Sequence, residues 1–500
     1  MIRVEKLNAA FCKVLTSDRG IAREIRDYFS FEVENAKYHP LVKAGKWDGV
    51  ISLFDLVNRT LPGGLIPHLE QFSRERQYPF EMSYDDSNDL SLDDIKNFAS
   101  TLNLSDGKGN KMTLRDYQVS AIHDAIKNKR ILLQSPTSSG KSAILYSVMR
   151  YLEEDIETKI LILVPNVSLI NQIASDFKEY SELNGWNADV KIHKISAGEA
   201  KISKKQIFLS TWQSIYKQPQ EYFEQFGAVL VDECHLSKGN SLTKIIQGAT
   251  NAWYRIGVTG TVDERGERLK TNKLVLQGLF GYIKKVITTK ELMDRGDVAD
   301  LEIKTIRLNY SDDVKTLFKK SKPEYQDEVK WICTNEKRNR FIANLALRQD
   351  KNVLILTQYV ENQGKILYDL IKAKTTDKEV YFVSGAMEGQ ERERIRKMCE
   401  VKNNIVLIGT YQTMSTGVSI KNLHSFIAAS PSKSMVRVLQ SIGRLLRKNS
   451  TKTNAVMFDI ADDMSSKSYS NYAMLHLMER MKIYKEESFK VKSIDLDFES

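Results

Sequence analysis

The spacing of apolar positions divides the chain into regions with different rhythms. From about residue 113, short apolar runs recur between amphipathic stretches: RILLQ (130–134), KILILVP (159–165), QIFLST (206–211), AVLVDE (228–233) and RIGVTGT (255–261). Near-continuous apolar strands separated by helices indicate a parallel sheet covered on both faces. A second series comes later: NVLILTQ (352–358), EVYFVSG (379–385), NIVLIGT (404–410), SFIAAS (425–430) and NAVMFDI (454–460). The segment between them, about 265–350, reads as a linker region, in which DLEIK (300–304) alternates like a strand. Residues 1–80 keep neither rhythm. SDRGIAREIRDYFSFEV predicts a helix starting near Ser17, and KWDGVISLFDLVNRTLPGGL predicts a hairpin closing into a turn. The polar stretches SYDDSNDLSLDD and SDGKGNK mark the joint to the first strand series.

The pattern therefore predicts an α/β chain: two tandem parallel-sheet domains with a small α+β domain ahead of them. The expected boundaries are 1–105 for the N-terminal domain, 106–280 for the first sheet domain, 281–465 for the linker and second sheet domain, and 466–500 for a helical tail. No short internal repeat or low-complexity segment interrupts this order.

Five hundred residues exceed what one core can serve, so about two to four domains are expected. No apolar stretch reaches the roughly 20 residues needed to cross a bilayer. The first residues, MIRVEKLNAAFCKVL, mix charge into apolar positions unlike a secretory signal. Cys12, Cys234, Cys333 and Cys399 are far apart and form no CxxC pair, which argues against a zinc site or a disulfide framework and fits a reducing cytoplasm. The formal net charge of +10 favours a polyanionic partner. Residues 1–105 carry 13 Lys/Arg against 16 Asp/Glu, so the positive excess lies in the two sheet domains.

The first apolar strand runs into SPTSSGKS (135–142). In such a loop Ser135, Pro136, Thr137, Ser138, Ser139 and Gly140 let backbone N–H groups face phosphate oxygens, and the following helix adds its positive end. Lys141 would reach the β- and γ-phosphates of ATP, and Ser142 would ligate Mg²⁺. Ser135 stands where the usual phosphate-loop pattern has its first glycine, so this motif alone is imperfect. The sequence AVLVDECH supplies what it lacks: Asp232 can hold Mg²⁺ through water, and Glu233 can orient or deprotonate the attacking water. Upstream, Gln118 in LRDYQ offers an amide donor and acceptor to adenine, and Tyr117 suits core packing better than base stacking. In QSIGRLLR, Gln440, Arg444 and Arg447 share one helical face. Arginines there could brace charge on the γ-phosphoryl group or contact a nucleic-acid track.

Taken in order, LRDYQ, SPTSSGKS, VPNVSLINQ, STWQS, DECH, TGT (259–261), LTQYVENQGK, VSG (383–385), STGVSIKNL and QSIGRLLR resemble the motifs of superfamily-two helicases with a DExH box. The match runs from about Leu114 to Arg447. The elements YFSFE, WDG, WQS…KQP, TTKELM and STGVSIKNLH further resemble the recombination helicases of T-even-type bacteriophages. The resemblance implies two RecA-like domains, ATP and Mg²⁺ as cofactors, and a DNA substrate that is unwound and branch-migrated at forks and Holliday junctions. It also admits RNA in hybrids, recombination and single-strand-binding proteins as partners, no membrane, and a place in the host cytoplasm.

By match of motif, Thr259 and Thr261 would couple hydrolysis to domain motion. His235 would link the nucleotide site to that motif. Pro165, Asn166, Thr211, Trp212, Ser384, Gly385 and Thr410 would hold the sugar–phosphate backbone, with little base specificity. Gly417 belongs to a nucleotide-contacting motif in which Ser419 replaces the usual Asp. The N-terminal domain would engage duplex beside a junction, with Lys37, Lys43 and Lys46 near Trp47 as candidate phosphate contacts. A duplex translocase that does not separate strands, an RNA helicase and a nucleotide-gated clamp are the alternatives.

Overall fold

The computed structural model describes residues 1–33, 36–84, 88–196, 198–236, 240–260, 267–415, 420, 422–431, 442–443, 445–446 and 452–498. The chain divides into two compact units, residues 1–135 with 140–287, and residues 288–500 with the four loop residues 136–139.

The first unit opens with a small mixed sheet. Its strands are β1 (Ile2–Lys6), β2 (Phe11–Thr16), β5 (Thr60–Pro62) and β6 (Phe80–Met82), in the order β5-β2-β1-β6, while β3 (Ser30–Glu32) and β4 (Val50–Ser52) form a separate antiparallel pair. The helix expected near Ser17 spans Arg19–Tyr28 and buries Ile21, Ala22 and Ile25 against the sheet. The hairpin expected over 46–65 forms differently: β4 pairs with β3, and β5 pairs with β2. What reads as its turn is an Asx arrangement. Asp55 Oδ1 accepts from the N–H groups of Val57 and Asn58 at 2.8 and 2.9 Å, a local bond that needs no pairing of the flanking strands.

A seven-stranded parallel sheet comes next. It comprises β7 (Arg130–Gln134), β8 (Lys159–Val164), β9 (Ile192–Ile195), β10 (Ile207–Thr211), β11 (Phe226–Asp232), β12 (Tyr254–Thr259) and β13 (Ile283–Lys285), in the order β13-β7-β12-β11-β8-β10-β9. β8, β10 and β11 are buried almost throughout, as expected for strands covered on both faces. Ile95, Leu102 and Leu104 pack into this sheet's core, and Ser91 and Asp94 form a capping box on the helix Leu92–Thr101. The acidic stretch expected to mark the joint to the first strand series thus runs into a helix that packs on the large sheet. Its cap is polar, but its inward face is not.

The small sheet is anchored to the large one at several points. The guanidinium of Arg130, at the start of β7, donates to the carbonyl of Ala9, and Ala9 N–H donates to the Thr250 carbonyl at 2.8 Å. A Cβ on Gly64 would come within 2.0 Å of the Gln277 carbonyl, so only glycine allows this approach to the helix Glu267–Phe280. Lys6 Nζ lies 3.9 Å over the Trp253 ring.

The second unit is built on another seven-stranded sheet. Its strands are β14 (Asp300–Tyr310), β15 (Val353–Thr357), β16 (Glu379–Val383), β17 (Ile405–Thr410), β18 (Ser425–Ala428), β19 (Asn454–Asp463) and β20 (Lys490–Phe498), in the order β16-β17-β15-β18-β19-β14-β20. Every pairing is parallel. Two parts of it lie outside the expected strand series. The alternating DLEIK extends into β14, which pairs with β19 on one side and β20 on the other. The tail expected to be helical over 466–500 has one long helix, Tyr472–Glu486, and then β20. Ile494, Leu496 and Phe498 alternate there with Asp495 and Asp497, a strand's period rather than a helix's.

Candidate active site

In the first large sheet, the residues expected to handle ATP sit at the carboxyl ends of β7, β12 and β11, which are neighbours. In an open parallel sheet this edge is where ligands bind. After β7 the chain turns through Ser135–Gly140 into the helix Lys141–Asp155. Ser135 N–H donates to the Thr259 carbonyl at 2.8 Å, and Ser139 Oγ–H donates to the Pro136 carbonyl at 2.7 Å. Ser138 and Gly140 both have left-handed backbone, with φ of 73° and 84°. Such residues turn successive N–H groups of a loop to one side, an anion-binding geometry. Gly140 is required twice over, because a Cβ there would also come within 2.2 Å of Gln118 Nε2. Gln118 is buried beside the loop, with its Oε1 accepting Arg115 N–H at 2.8 Å. Tyr117 is buried as well.

Lys141 Nζ donates to Glu233 Oε1 at 2.9 Å. Gly260 makes room for it: a Cβ there would lie 3.3 Å from Nζ. Asp232 ends β11, and its Oδ1 accepts the Glu233 N–H at 2.9 Å. Glu233 has φ of 50°, a left-handed setting that costs a side-chain-bearing residue about 1 kcal/mol. His235 Nδ1 lies 2.5 Å from Thr259 Oγ1 and 3.2 Å from Glu233 Oε2. Lys141, Glu233, His235 and Thr259 therefore form one continuous chain of polar contacts from the phosphate loop to the end of β12.

The charges in this cluster bias one another. Burial opposes the Lys141 ammonium, but Glu233 and Asp232 outweigh it and raise its pKa above the ordinary lysine value. Burial likewise works to raise Glu233. The Lys141 ammonium and His235 override it and hold this carboxyl well below the usual carboxylate range. For Asp232, burial followed by the Glu233 charge outweighs the Lys141 ammonium and pushes the carboxyl well above the ordinary aspartate range. A buried carboxylate whose charge burial and Glu233 oppose, with Ser142 half-buried one residue past Lys141, suits a divalent cation shared with phosphates. Among the described residues no three His, Cys, Asp or Glu side chains cluster as a metal cage. Mg²⁺ bound mainly through phosphate and water needs none.

Of the residues expected to hold a nucleic-acid backbone, those of the first unit occupy the same edge further along. Pro165 follows β8, and Asn166 caps the helix Val167–Tyr180 by accepting Leu169 N–H at 3.0 Å. Thr211 ends β10, and its Oγ1 accepts Ser214 N–H at 3.2 Å. Trp212 is buried in the sheet's core, which removes its ring from any stacking role and leaves its backbone. In the second unit, Ser384 and Gly385 follow β16, and Gly385 is exposed with open space around it. Thr410 ends the adjacent β17, and its Oγ1 accepts Thr413 N–H at 3.1 Å.

Lys37, Lys43 and Lys46 are exposed around half-buried Trp47, whose Nε1–H donates to the Val50 carbonyl at 2.8 Å. Thr261, Gly417, Gln440, Arg444 and Arg447 lie outside the described residues. Gly260 is not a residue that motif or spacing singles out, since it stands only as the middle of TGT. No described helix is long and apolar enough to cross a membrane.

A phosphate loop and a DECH carboxylate pair on one RecA-like sheet, followed by a second such sheet with strand-end hydroxyls, define a superfamily-two helicase. Comparison with known proteins narrows the class. Residues 2–83 match the model of the DNA helicase UvsW N-terminal domain, 111–264 that of the type III restriction enzyme res subunit, and 336–449 that of the helicase conserved C-terminal domain. The ATP-dependent DNA helicase uvsW of Enterobacteria phage T4 is 36% identical over 494 residues, covering 95% of each chain. The crystal structure of T4 UvsW matches 99% of both chains at a TM-score of 0.52 and 33% identity. A second UvsW helicase structure from the same phage covers 57% of this chain at a TM-score of 0.51 and 34% identity. The chain belongs to the UvsW family of ATP-dependent DNA helicases.

Proposed function

We propose that this helicase unwinds and branch-migrates branched DNA, namely forks, Holliday junctions and R-loops, in phage recombination, replication and repair. The observation that carries the ATPase part is the contact chain Lys141–Glu233–His235–Thr259. When ATP binds, Lys141 exchanges Glu233 for phosphate oxygens. The freed carboxylate can then accept a proton from the attacking water. His235, bonded to Thr259, registers that exchange at the end of β12. Asp232 and Ser142 are the residues that would hold Mg²⁺, which supplies charge neutralisation at the β- and γ-phosphates when bound. Arg444 and Arg447, with Gln440 in the same QSIGRLLR motif, would brace the transferring phosphoryl group, and Gly417 in STGVSIKNL would contact the nucleotide.

The strand-end segments Pro165–Asn166, Thr211–Trp212, Ser384–Gly385 and Thr410 suit a backbone track, because their hydroxyl and N–H donors, which Pro165 itself lacks, grip phosphate without reading bases. Lys37, Lys43 and Lys46 would add phosphate contacts to duplex beside the junction. Recombination and single-strand-binding proteins are the protein partners this role calls for.

The test is ATP turnover measured side by side with single-stranded DNA, duplex, fork, four-way junction and RNA, each with a strand-displacement readout. The expected result is the highest stimulation and product release with fork and four-way DNA. Equal stimulation by RNA, or triplex displacement without strand separation, would overturn the proposal in favour of an RNA helicase or a duplex translocase.

A further inference from the structure

In the second unit three adjacent strands, β17, β15 and β18, deliver the chain to the carboxyl edge at Thr410, Thr357 and Ala428. Their ladder ends with Ala429 N–H donating to the Leu356 carbonyl at 3.0 Å. Beyond that rung, one buried residue touches all three exits. Ser430 Oγ accepts the N–H of Gln358, the residue after β15, at 2.8 Å. Its carbonyl accepts the hydroxyl of Tyr411, the residue after β17, at 3.2 Å. Ser430 itself lies two residues past β18. Its own hydroxyl proton goes to Gln363 Oε1, so the group is satisfied as both donor and acceptor.

Gln363 is fully buried and belongs to an unusual element. Residues Val360–Lys365 form a π-helical turn, a widened geometry found mostly at functional sites. Gln363 Nε2 also donates to the Ala429 carbonyl at 3.2 Å. A second donor reaches that carbonyl: Arg338 Nη1 at 2.7 Å, from a guanidinium with no solvent exposure whose Nε is bonded to Asp462 Oδ1 at 2.7 Å. Tyr411 and Ser430 also face the cavity bounded by Asp459 and Arg480, which form a buried bidentate ion pair at 2.9 Å. For stability alone, apolar side chains of similar shape would serve as well, since each buried polar bond nets only about 1 kcal/mol. The hydrogen bonds that meet at Ser430 and Gln363 fix one geometry where apolar packing would tolerate several.

What the network holds is specific. One exit begins at Thr410, the proposed phosphate contact, and another leads from Ser430 into the sequence that carries Gln440, Arg444 and Arg447. We propose that Ser430, with Gln363 and Tyr411 bonded to it, is a positioning centre that sets these strand exits relative to one another and so sets how strongly DNA stimulates ATP turnover. The inference rests on the proposed helicase function and adds residues that carry neither nucleotide nor nucleic acid themselves.

The experiment uses the full chain and the variants Ser430→Ala, Gln363→Met and Tyr411→Phe. ATP turnover is measured without DNA and across a titration of single-stranded DNA, together with the thermal midpoint. The centre predicts a loss of about tenfold in DNA-saturated kcat, as small misplacements of reacting groups typically cause. The DNA-independent rate and the KM for ATP should stay within about twofold. Tyr411→Phe removes one hydroxyl and keeps the ring, so it guards against failure of the other two to fold. If the ratio of stimulated to basal rate stays at the wild-type value in the folded variants, the residues are structural only and the proposal is wrong. A wild-type chain that DNA does not stimulate at all would instead refute the helicase function on which it stands.

Discussion

Breaking the Lys141–Glu233 contact should cost stability as well as turnover, and the two losses can be separated. The groups are 2.9 Å apart, with side chains only 14% and 18% exposed. At an effective dielectric of about 20 the gross attraction is about 6 kcal/mol, most of which repays the removal of both charges from water. Removing one partner strands the other. Lys141→Met leaves a buried carboxylate beside the His235 ring, and Glu233→Gln leaves a buried ammonium beside Asp232. Each single change should lower unfolding free energy by about 3 kcal/mol. The double variant should lose far less than the sum, giving a coupling energy of about 2–3 kcal/mol. Four of the five tryptophans, Trp47, Trp186, Trp212 and Trp253, lie in the first unit, so fluorescence during urea unfolding reports mainly on it. All three variants should be inactive as ATPases. Strictly additive stability changes would show that the contact contributes nothing in solution, and the proposed exchange of Glu233 for phosphate would lose its basis.

Three further outcomes rest on other parts of the molecule. Arg444→Ala or Arg447→Ala should cut kcat by on the order of 10³-fold with a smaller change in ATP affinity, and Lys in either place should rescue poorly; a loss confined to DNA affinity would assign them to the track. Replacing Lys37, Lys43 and Lys46 together by Ala should reduce the slope of log binding constant against log salt for forked DNA by about 3, and an unchanged slope would remove them from the interface. Burial and the ammonium groups of Lys351 and Lys452 push His424 down to about 4. The unfolded chain then takes up a proton between about pH 6.5 and 4 that the folded one refuses, so stability falls as pH drops through that window. His424→Gln should lose less stability over it in denaturant titrations at pH 7 and pH 4.5; an equal loss would place the acid sensitivity elsewhere.

Apart from EVYFVSG, which became the half-buried edge strand β16, the strands that sequence revealed are mostly those buried on both faces. RILLQ, KILILVP, AVLVDE and NVLILTQ have unbroken apolar centres with polar residues only at their ends, and each became an interior strand. The edges were harder to see: IHKI of β9, IKK of β13 and KVKSIDLDF of β20 carry charge because one side meets solvent. The strand order was not legible, because it depends on which helix crosses where and not on any strand's composition. At the site, Lys141, Asp232 and Glu233 were evident from motif and context. Their pairing across 92 residues was not, and neither was the space that Gly260 leaves for Lys141. Ser430 and Gln363 stand among other polar letters, in AASPSKS and VENQGK, with no spacing that connects them. The helix Leu92–Thr101 was hidden behind its acidic cap, since the apolar residues that dock it, Ile95, Leu102 and Leu104, are few and widely set.

The place of β20 bears on how the protein is made. β14 is complete once residue 310 has emerged, but the strand that covers its outer edge is encoded between residues 490 and 498. During synthesis β14 also waits for β19, which comes about 150 residues later. A nascent chain thus carries an eleven-residue strand with open backbone donors and acceptors through most of the second unit's translation. Exposed edges of that length invite pairing with other chains. A chain interrupted before β20 should therefore be prone to aggregate even when every motif for ATP and DNA is present, because the outer edge of β14 then stays open.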